Sequence, residues 1–176
     1  MKRLITMTVG MAMTAVTLAA QAGGGGVAPH VAILKTQAET IRSYVLRTAE
    51  KVPEDLLGFK PTPDVRSLGA ILGHIADGNN LLCSMANGDK AAPNQVNEKK
   101  TTRADLVAGL KASFAACDKV FAATTDANAT APVDFFGQKQ TRLGMLAFNN
   151  SHMWEHYGNL VTYMRLKNIV PPSSER

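Results

Sequence analysis

Apolar residues recur at intervals of three and four positions in four separate stretches of the chain, which is the spacing of amphipathic helices. The first stretch covers residues 31–52 and ends before Pro53, which cannot continue a helix. The second begins after Ser67, whose hydroxyl suits the cap of a helix N-terminus, and ends at Asn87-Gly88-Asp89. These patterns predict two helices joined by an extended, proline-containing connection.

The third and fourth stretches carry start and stop signals of the same kind. Thr102, with Asp105 three positions later, resembles a capping box and precedes an apolar stripe over residues 106–124. The fourth stretch covers residues 141–167 without a proline. It is followed by Asn168, a residue type that tolerates the left-handed conformation at the end of a helix. Two further helices are therefore predicted.

The segments between the helices are polar. Residues 90–100 predict a loop, and residues 126–140 predict a connection whose one strand-like fragment, 133–137, forms either a short hairpin or an apolar plug over one bundle end. Four long helices without an internal repeat indicate an all-α protein, a four-helix bundle. We expect this bundle to span residues 28–172, with a short tail at 173–176.

The first 22 residues have the features of a secretory signal peptide. Lys2 and Arg3 precede an uncharged apolar stretch, residues 4–20, and Ala20-Gln21-Ala22 is a small-x-small cleavage pattern. The alternative is an anchor that stays attached, but the apolar part is short and the cleavage pattern follows it at once. We therefore expect an exported protein, periplasmic or extracellular, with residues 23–27 as a flexible leader and no membrane span after cleavage.

The positive charge of the chain does not indicate a nucleic-acid partner. Cleavage would remove Lys2 and Arg3 and lower the net charge from +5 to +3. The remaining basic residues are scattered and do not alternate with aromatic residues, so the pattern of a nucleic-acid-binding surface is missing.

The two cysteines, Cys83 and Cys117, allow two interpretations. In an oxidising compartment they can form a disulfide. They can equally be two small buried thiols, because the sequence alone does not give the distance between their Cα atoms.

The four histidines provide the candidate chemistry. His152 and His156 are four positions apart, so they lie on one face of the fourth helix about one turn apart. His74 lies at the edge of the apolar stripe of the second helix, whereas His30, at the start of the first helix, should be exposed. A chance surface pair and a satisfied core histidine are the structural alternatives. A three-histidine metal site, with open coordination positions for water or a small substrate, accounts for all three residues.

Other polar residues near these histidines are weaker candidates. Asp77, three positions after His74, either orients an imidazole or is solvated. Asn149 and Tyr163 either contact a metal-bound water or substrate, or are ordinary polar residues of the bundle.

The segment from His152 to His156 also spells the inverted zincin pattern H-x-x-E-H. Such peptidases need a further carboxylate ligand downstream, and the only acidic residue after His156 is Glu175 in the tail. We therefore reject the peptidase interpretation and place Glu155 beside the site or in solvent.

Two of the helices resemble those of the DinB/YfiT-like superfamily, which is distinct from the translesion polymerase of similar name. The resemblance lies in residues 67–83, SLGAILGHIADGNNLLC, and residues 149–172, NNSHMWEHYGNLVTYMRLKNIVPP. It extends over nearly the whole mature chain. It implies that His74, His152 and His156 bind a divalent metal, for which zinc, nickel and iron are the candidates.

The resemblance also implies an up-down-down-up bundle with a crossover between the second and third helices. Parallel second and third helices would bring Cys83 and Cys117 to the same end, which favours the disulfide. Homodimers are frequent among such bundles.

Members of this superfamily include thiol-dependent transferases and a maleylpyruvate isomerase. The resemblance does not specify a reaction. Our leading hypothesis is a metal-dependent enzyme, hydrolytic or group-transferring, that acts on a small molecule. The alternative is a non-catalytic bundle that binds metal or a partner.

Overall fold

Four long helices form the fold, as the apolar spacing predicts. The structure is a computed structural model that describes residues 29–90 and 93–175. Its helices are α1 (Pro29–Lys51), α2 (Leu68–Asn87), α3 (Arg103–Ala123) and α4 (Arg142–Leu166). A two-stranded hairpin, β1 (Pro132–Phe135) and β2 (Gln138–Thr141), precedes α4, and single 3-10 turns lie at Glu54–Leu56 and Pro172–Ser174.

Polar caps define the helix ends at the predicted residues. The hydroxyl oxygens of Ser67 and Thr141 accept hydrogen bonds from backbone amides three residues later, at 3.2 and 3.0 Å. Thr102 caps α3 in the same way, at 3.2 Å. Gly88 (φ 88°) and Asn168 (φ 56°) adopt the left-handed conformation that ends α2 and α4. These local signals fix the bounds of the helices.

Helices α2 and α3 run parallel. Leu106, near the start of α3, lies against Gly69 near the start of α2. Towards the other ends, Cys83 and Cys117 are joined by a disulfide with their Cα atoms 5.3 Å apart. The connection from α2 to α3 must therefore cross the length of the bundle, and the loop between Gly88 and Arg103 does so.

Helix α4 runs antiparallel to α2 and parallel to α1. Hydrogen bonds link Asn149 to Asn79 near one end and Tyr163 to Arg66 near the other. Helix α4 also contacts α1, and the contacts advance in the same direction along both: Asn150 donates to the carbonyl of Leu34, and Lys51 donates to the carbonyl of Val170 just after α4. The order is thus up-down-down-up, and the predicted fold class is confirmed.

The apolar core has two layers along the bundle axis. One layer surrounds Leu72, Ile75 and Met153, and the other surrounds the disulfide together with Met145 and Leu146. The three candidate metal-ligating histidines lie on α2 and α4 beside the first layer, so tightly packed helices hold their backbones in place.

The hairpin resolves the alternatives left open for residues 126–140. The strands pair antiparallel from Pro132–Thr141 to Phe135–Gln138, around a turn at Phe136 and Gly137 with positive φ. Phe136, at the turn, is 60% exposed, whereas Val133 is buried in the core layer around the disulfide and Phe135 packs against that layer. The fragment is therefore a hairpin whose first strand also covers this part of the core. Residues 138–140 were predicted as part of a connection, but they belong to strand β2, which pairs with β1. The sequence did not indicate this strand, because its residues are all polar and show no alternation of apolar and polar positions.

The predicted signal peptide, residues 1–22, and the leader, 23–27, lie outside the described residues. Within residues 29–90 and 93–175, no helix has both the length and the hydrophobicity that crossing a membrane requires.

Candidate metal centre

His74, His152 and His156 converge between α2 and α4. Each offers one ring nitrogen, and these three nitrogens lie within 4.8 Å of one another. The Nε2 atoms of His152 and His156 are 3.1 Å apart. Two nitrogens that each lie about 2.0–2.1 Å from one zinc ion in tetrahedral geometry would be about 3.3 Å apart. The His152–His156 pair thus has nearly the spacing that one ion requires, and the ring nitrogen of His74 is close enough to complete a three-histidine group that can hold an ion.

Gly78 of α2 makes room for the ring of His152. A Cβ atom at residue 78 would lie 3.1 Å from Nδ1 and 3.3 Å from Nε2 of His152, and closer still to Cε1. The imidazole therefore lies directly against the backbone of α2. His30, by contrast, is exposed on α1, as expected.

Burial keeps the histidines of α4 neutral. The pKa of His152 is lowered from its usual value near 6.5 to about 4. Burial is the main cause, and the charges of His156, His74 and Arg66 act in the same direction. Burial and the charge of His74 also lower the pKa of His156. Both imidazoles thus have free lone pairs at neutral pH, which is the form that binds a metal. The Nδ1 atom of His152 is buried without a hydrogen-bond partner among the described residues.

Glu98, on the loop between α2 and α3, contacts His74. One carboxylate oxygen lies 3.1 Å from Nδ1 of His74, and the other accepts a hydrogen bond of 2.8 Å from Nε of Arg66. Burial raises the pKa of Glu98, but the hydrogen bonds and charges of Arg66 and His74 outweigh it and lower this pKa overall. The sequence interpretation missed Glu98, because it lies in a polar loop with no motif.

Asp77 has neither of the roles considered for it. It is 5% exposed, so it is not solvated. Its carboxylate accepts hydrogen bonds from the backbone amides of Asn97 and Glu98 and from the side chain of Asn97. The expectation that Asp77 orients an imidazole directly is wrong for this geometry, because the crossover loop occupies its oxygens.

Asn149 and Tyr163 lie on opposite sides of the cluster. Asn149 is fully buried below it, donates to Asn79 at 2.8 Å and lies 3.4–3.5 Å from the two sulfur atoms of the disulfide. It therefore belongs to the core and does not face a substrate. Tyr163 lines the cleft described next, and its hydroxyl donates to the carbonyl of Arg66 at 3.0 Å.

An open cleft of about 580 Å³ adjoins the cluster. His156 and Glu98 form part of its wall, so one of the three candidate metal ligands borders a space accessible to solvent. The cleft is also lined by side chains of both charges and by a tyrosine: Lys60, Arg66, Glu155 and Tyr163. Its volume is in the range of pockets that bind small molecules.

The sequence and fold both match known proteins. Residues 37–160 match the model of the DinB superfamily. No functionally curated protein matches the chain significantly.

Solved structures share the fold at low sequence identity. A DinB-like protein from Bacillus cereus ATCC 10987 is 17% identical with a TM-score of 0.70, covering 79% of this chain and 93% of that one. A DinB-like protein from Bacillus subtilis is 22% identical with a TM-score of 0.65, covering 82% and 99%. A mycothiol-dependent maleylpyruvate isomerase is 15% identical with a TM-score of 0.59, covering 76% and 65%.

Proposed function

The chain belongs to the DinB superfamily, and we propose that it is an exported, divalent-metal-dependent enzyme acting on a small molecule at the cluster of His74, His152 and His156. The observation that carries this proposal is the convergence of three histidines from two helices, one of which, His156, lines an open cleft. Export is supported by the signal-like pattern of residues 1–22.

The three histidines would hold the ion through neutral imidazoles, and ligands of this type suit zinc, nickel or iron. Such an ion supplies Lewis-acid chemistry, since it polarises a carbonyl or phosphoryl group and lowers the pKa of water. Three protein ligands leave coordination positions open, as in catalytic rather than structural zinc sites.

The protein's own groups would bind and orient the substrate. The guanidinium of Arg66 and the ammonium of Lys60 can hold an anionic group in the cleft, and Tyr163 forms part of its wall. The reaction class is hydrolysis or group transfer. The solved isomerase of the same fold is by its name mycothiol-dependent, which supports including thiols among the tested cosubstrates.

Elemental analysis of the purified mature protein tests the metal site. We expect one divalent ion per chain after metal supplementation, and loss of binding in His156→Ala. The control is His30→Ala, which removes an exposed histidine outside the cluster and should bind metal as the unmodified protein does. A content far below one ion per chain would refute the site.

A panel of hydrolase and thiol-transfer substrates then tests catalysis, with metal-loaded and chelator-treated protein side by side. Activity that survives removal of the metal would contradict the proposal. Stoichiometric binding without any turnover would favour the non-catalytic metal-binding alternative. Mass spectrometry of the exported protein should show a chain that begins at Gly23.

A further inference from the structure

The segment Asn97–Glu98 of the crossover loop lies in a gap between the parallel helices α2 and α3. Both helices carry a glycine where the segment comes closest to their backbones, Gly73 on α2 and Gly109 on α3. A Cβ atom at Gly73 would lie 2.6 Å from Cα of Glu98, and one at Gly109 would lie 3.0 Å from Cγ of Asn97. The loop is therefore held against the helix backbones, and Asn97 is buried.

Asp77 fixes this segment. Its carboxylate accepts from the amide of Asn97 at 3.0 and 3.1 Å, from the side chain of Asn97 at 2.7 Å and from the amide of Glu98 at 2.9 Å. A buried carboxylate that accepts several backbone hydrogen bonds is held strongly in one orientation. The position of Glu98 is thus set by a residue on the same helix as His74, one turn away.

Glu98 in turn determines which nitrogen of His74 carries the proton. An ionised carboxylate can only accept hydrogen bonds, so its contact with Nδ1 requires that Nδ1 is protonated. The Nε2 lone pair of His74 is then free for the ion. Arg66 donates to the other oxygen of Glu98, which prevents the carboxylate from rotating away.

We infer that Glu98, held in place by Asp77 through the loop segment 97–98, is the positioning residue that fixes the ring and tautomer of His74 for metal binding. The inference rests on the proposed metal site. Metal-bound histidines usually donate their second nitrogen to such a partner, and loss of the partner lowers metal affinity about 10- to 100-fold.

Three substitutions test this inference. In Glu98→Gln, one of the two accepting oxygens becomes an amide group that cannot accept from His74 or Arg66, so metal affinity should fall about 10- to 100-fold. In Asp77→Asn, the amide group would face the buried N–H donors of the loop, and affinity should fall in the same direction. The matched control is Glu155→Gln, which removes an equal charge from the same cleft and contacts no histidine through a hydrogen bond in the described part of the chain.

Metal affinity is measured by competition with a chromogenic zinc chelator, and folding by circular dichroism. Affinity in Glu98→Gln that matches Glu155→Gln would overturn the role of Glu98. Unchanged affinity in a folded Asp77→Asn variant would overturn the role of Asp77. Should Asp77→Asn fail to fold, the Glu98→Gln result still decides the role of Glu98.

Nitrogen-15 NMR of the metal-free protein at pH 8 gives a second readout. His74 should carry its proton on Nδ1 in the unmodified protein and in Glu155→Gln, and shift towards Nε2–H in Glu98→Gln. An Nε2–H tautomer in the unmodified protein would refute the inference. This readout needs no bound ion, so it separates failure of the positioning role from failure of the metal site.

Discussion

Replacing Gly78 with alanine should weaken metal binding while leaving the bundle folded. Glycine in a helix interior is less favourable than alanine by about 1 kcal/mol, so the substitution by itself should stabilise α2. The opposing effect comes from His152, whose ring occupies the space that the new methyl group would need.

The size of the clash can be worked out from contact distances. Non-bonded carbon atoms approach to about 3.5–4.0 Å, so the ring of His152 must move by roughly 1 Å to accept the methyl group. The imidazole is the far end of a side chain that is not fully buried, so rotating it away costs little stability. Metal ligands, however, must keep their distances within about 0.2 Å. We therefore expect metal affinity to fall at least about tenfold, or about 1.4 kcal/mol.

Gly158→Ala provides the matched control, because Gly158 is exposed on α4 and a Cβ atom there meets nothing within 4 Å. It should raise the free energy of unfolding by about 1 kcal/mol and leave metal affinity unchanged. Affinity is measured by chelator competition and stability by urea denaturation of the metal-free proteins. If Gly78→Ala binds metal as tightly as Gly158→Ala, the ring of His152 does not need its present position and the reasoning is refuted.

Two further predictions concern pH and the disulfide. The pKa of His152 is lowered to about 4 in the folded state, so the unfolded chain takes up a proton first as the pH falls. The stability of the metal-free protein should therefore be complete above pH 6.5 and decrease between pH 6.5 and 4. Urea denaturation should show that the free energy of unfolding decreases less over this pH range in His152→Ala, and as much in His30→Ala as in the unmodified protein. An equal decrease in all three proteins would contradict this. Cys83 and Cys117 are separated by 34 positions, so replacing both with alanine should lower the free energy of unfolding by about 2–4 kcal/mol. Two thiols that react with an alkylating reagent in the folded, unreduced protein would contradict the disulfide.

Much of the fold follows from local signals in the sequence. The caps at Ser67, Thr102 and Thr141 act within three residues of the helix they begin, and Asn168 acts on the turn before it. Such local interactions can be predicted from the sequence without knowledge of the tertiary structure. Strand β2 was missed because its partner strand, rather than its own residues, determines its conformation.

The candidate site was only partly predictable for the same reason. The spacing of His152 and His156 is a property of one helix, and the proximity of His74 was suggested by its place at the edge of a stripe. Glu98 gives no such signal, since its distance from His74 depends on how the crossover loop lies over α2 and α3. Helical periodicity gives the face of a side chain but not the partner that occupies its polar atoms. Both roles considered for Asp77 were therefore wrong, whereas for Asn149 the structure selects the alternative of an ordinary polar residue of the bundle.

One sequence signal near the site does remain, and it lies in the glycines of the helices. Gly73, Gly78 and Gly109 lie inside α2 and α3, where each is less favourable than alanine by about 1 kcal/mol. In all three cases a side chain would collide with the crossover loop or with His152. Glycines that contradict the helical propensity around them therefore mark the places where another part of the chain must approach the backbone. Here Gly73 and Gly109 allow the loop segment that carries Glu98 to lie against the helices, and Gly78 allows the ring of His152 to lie against α2. The glycines that lower helix stability are therefore the ones that the geometry of the candidate metal site requires.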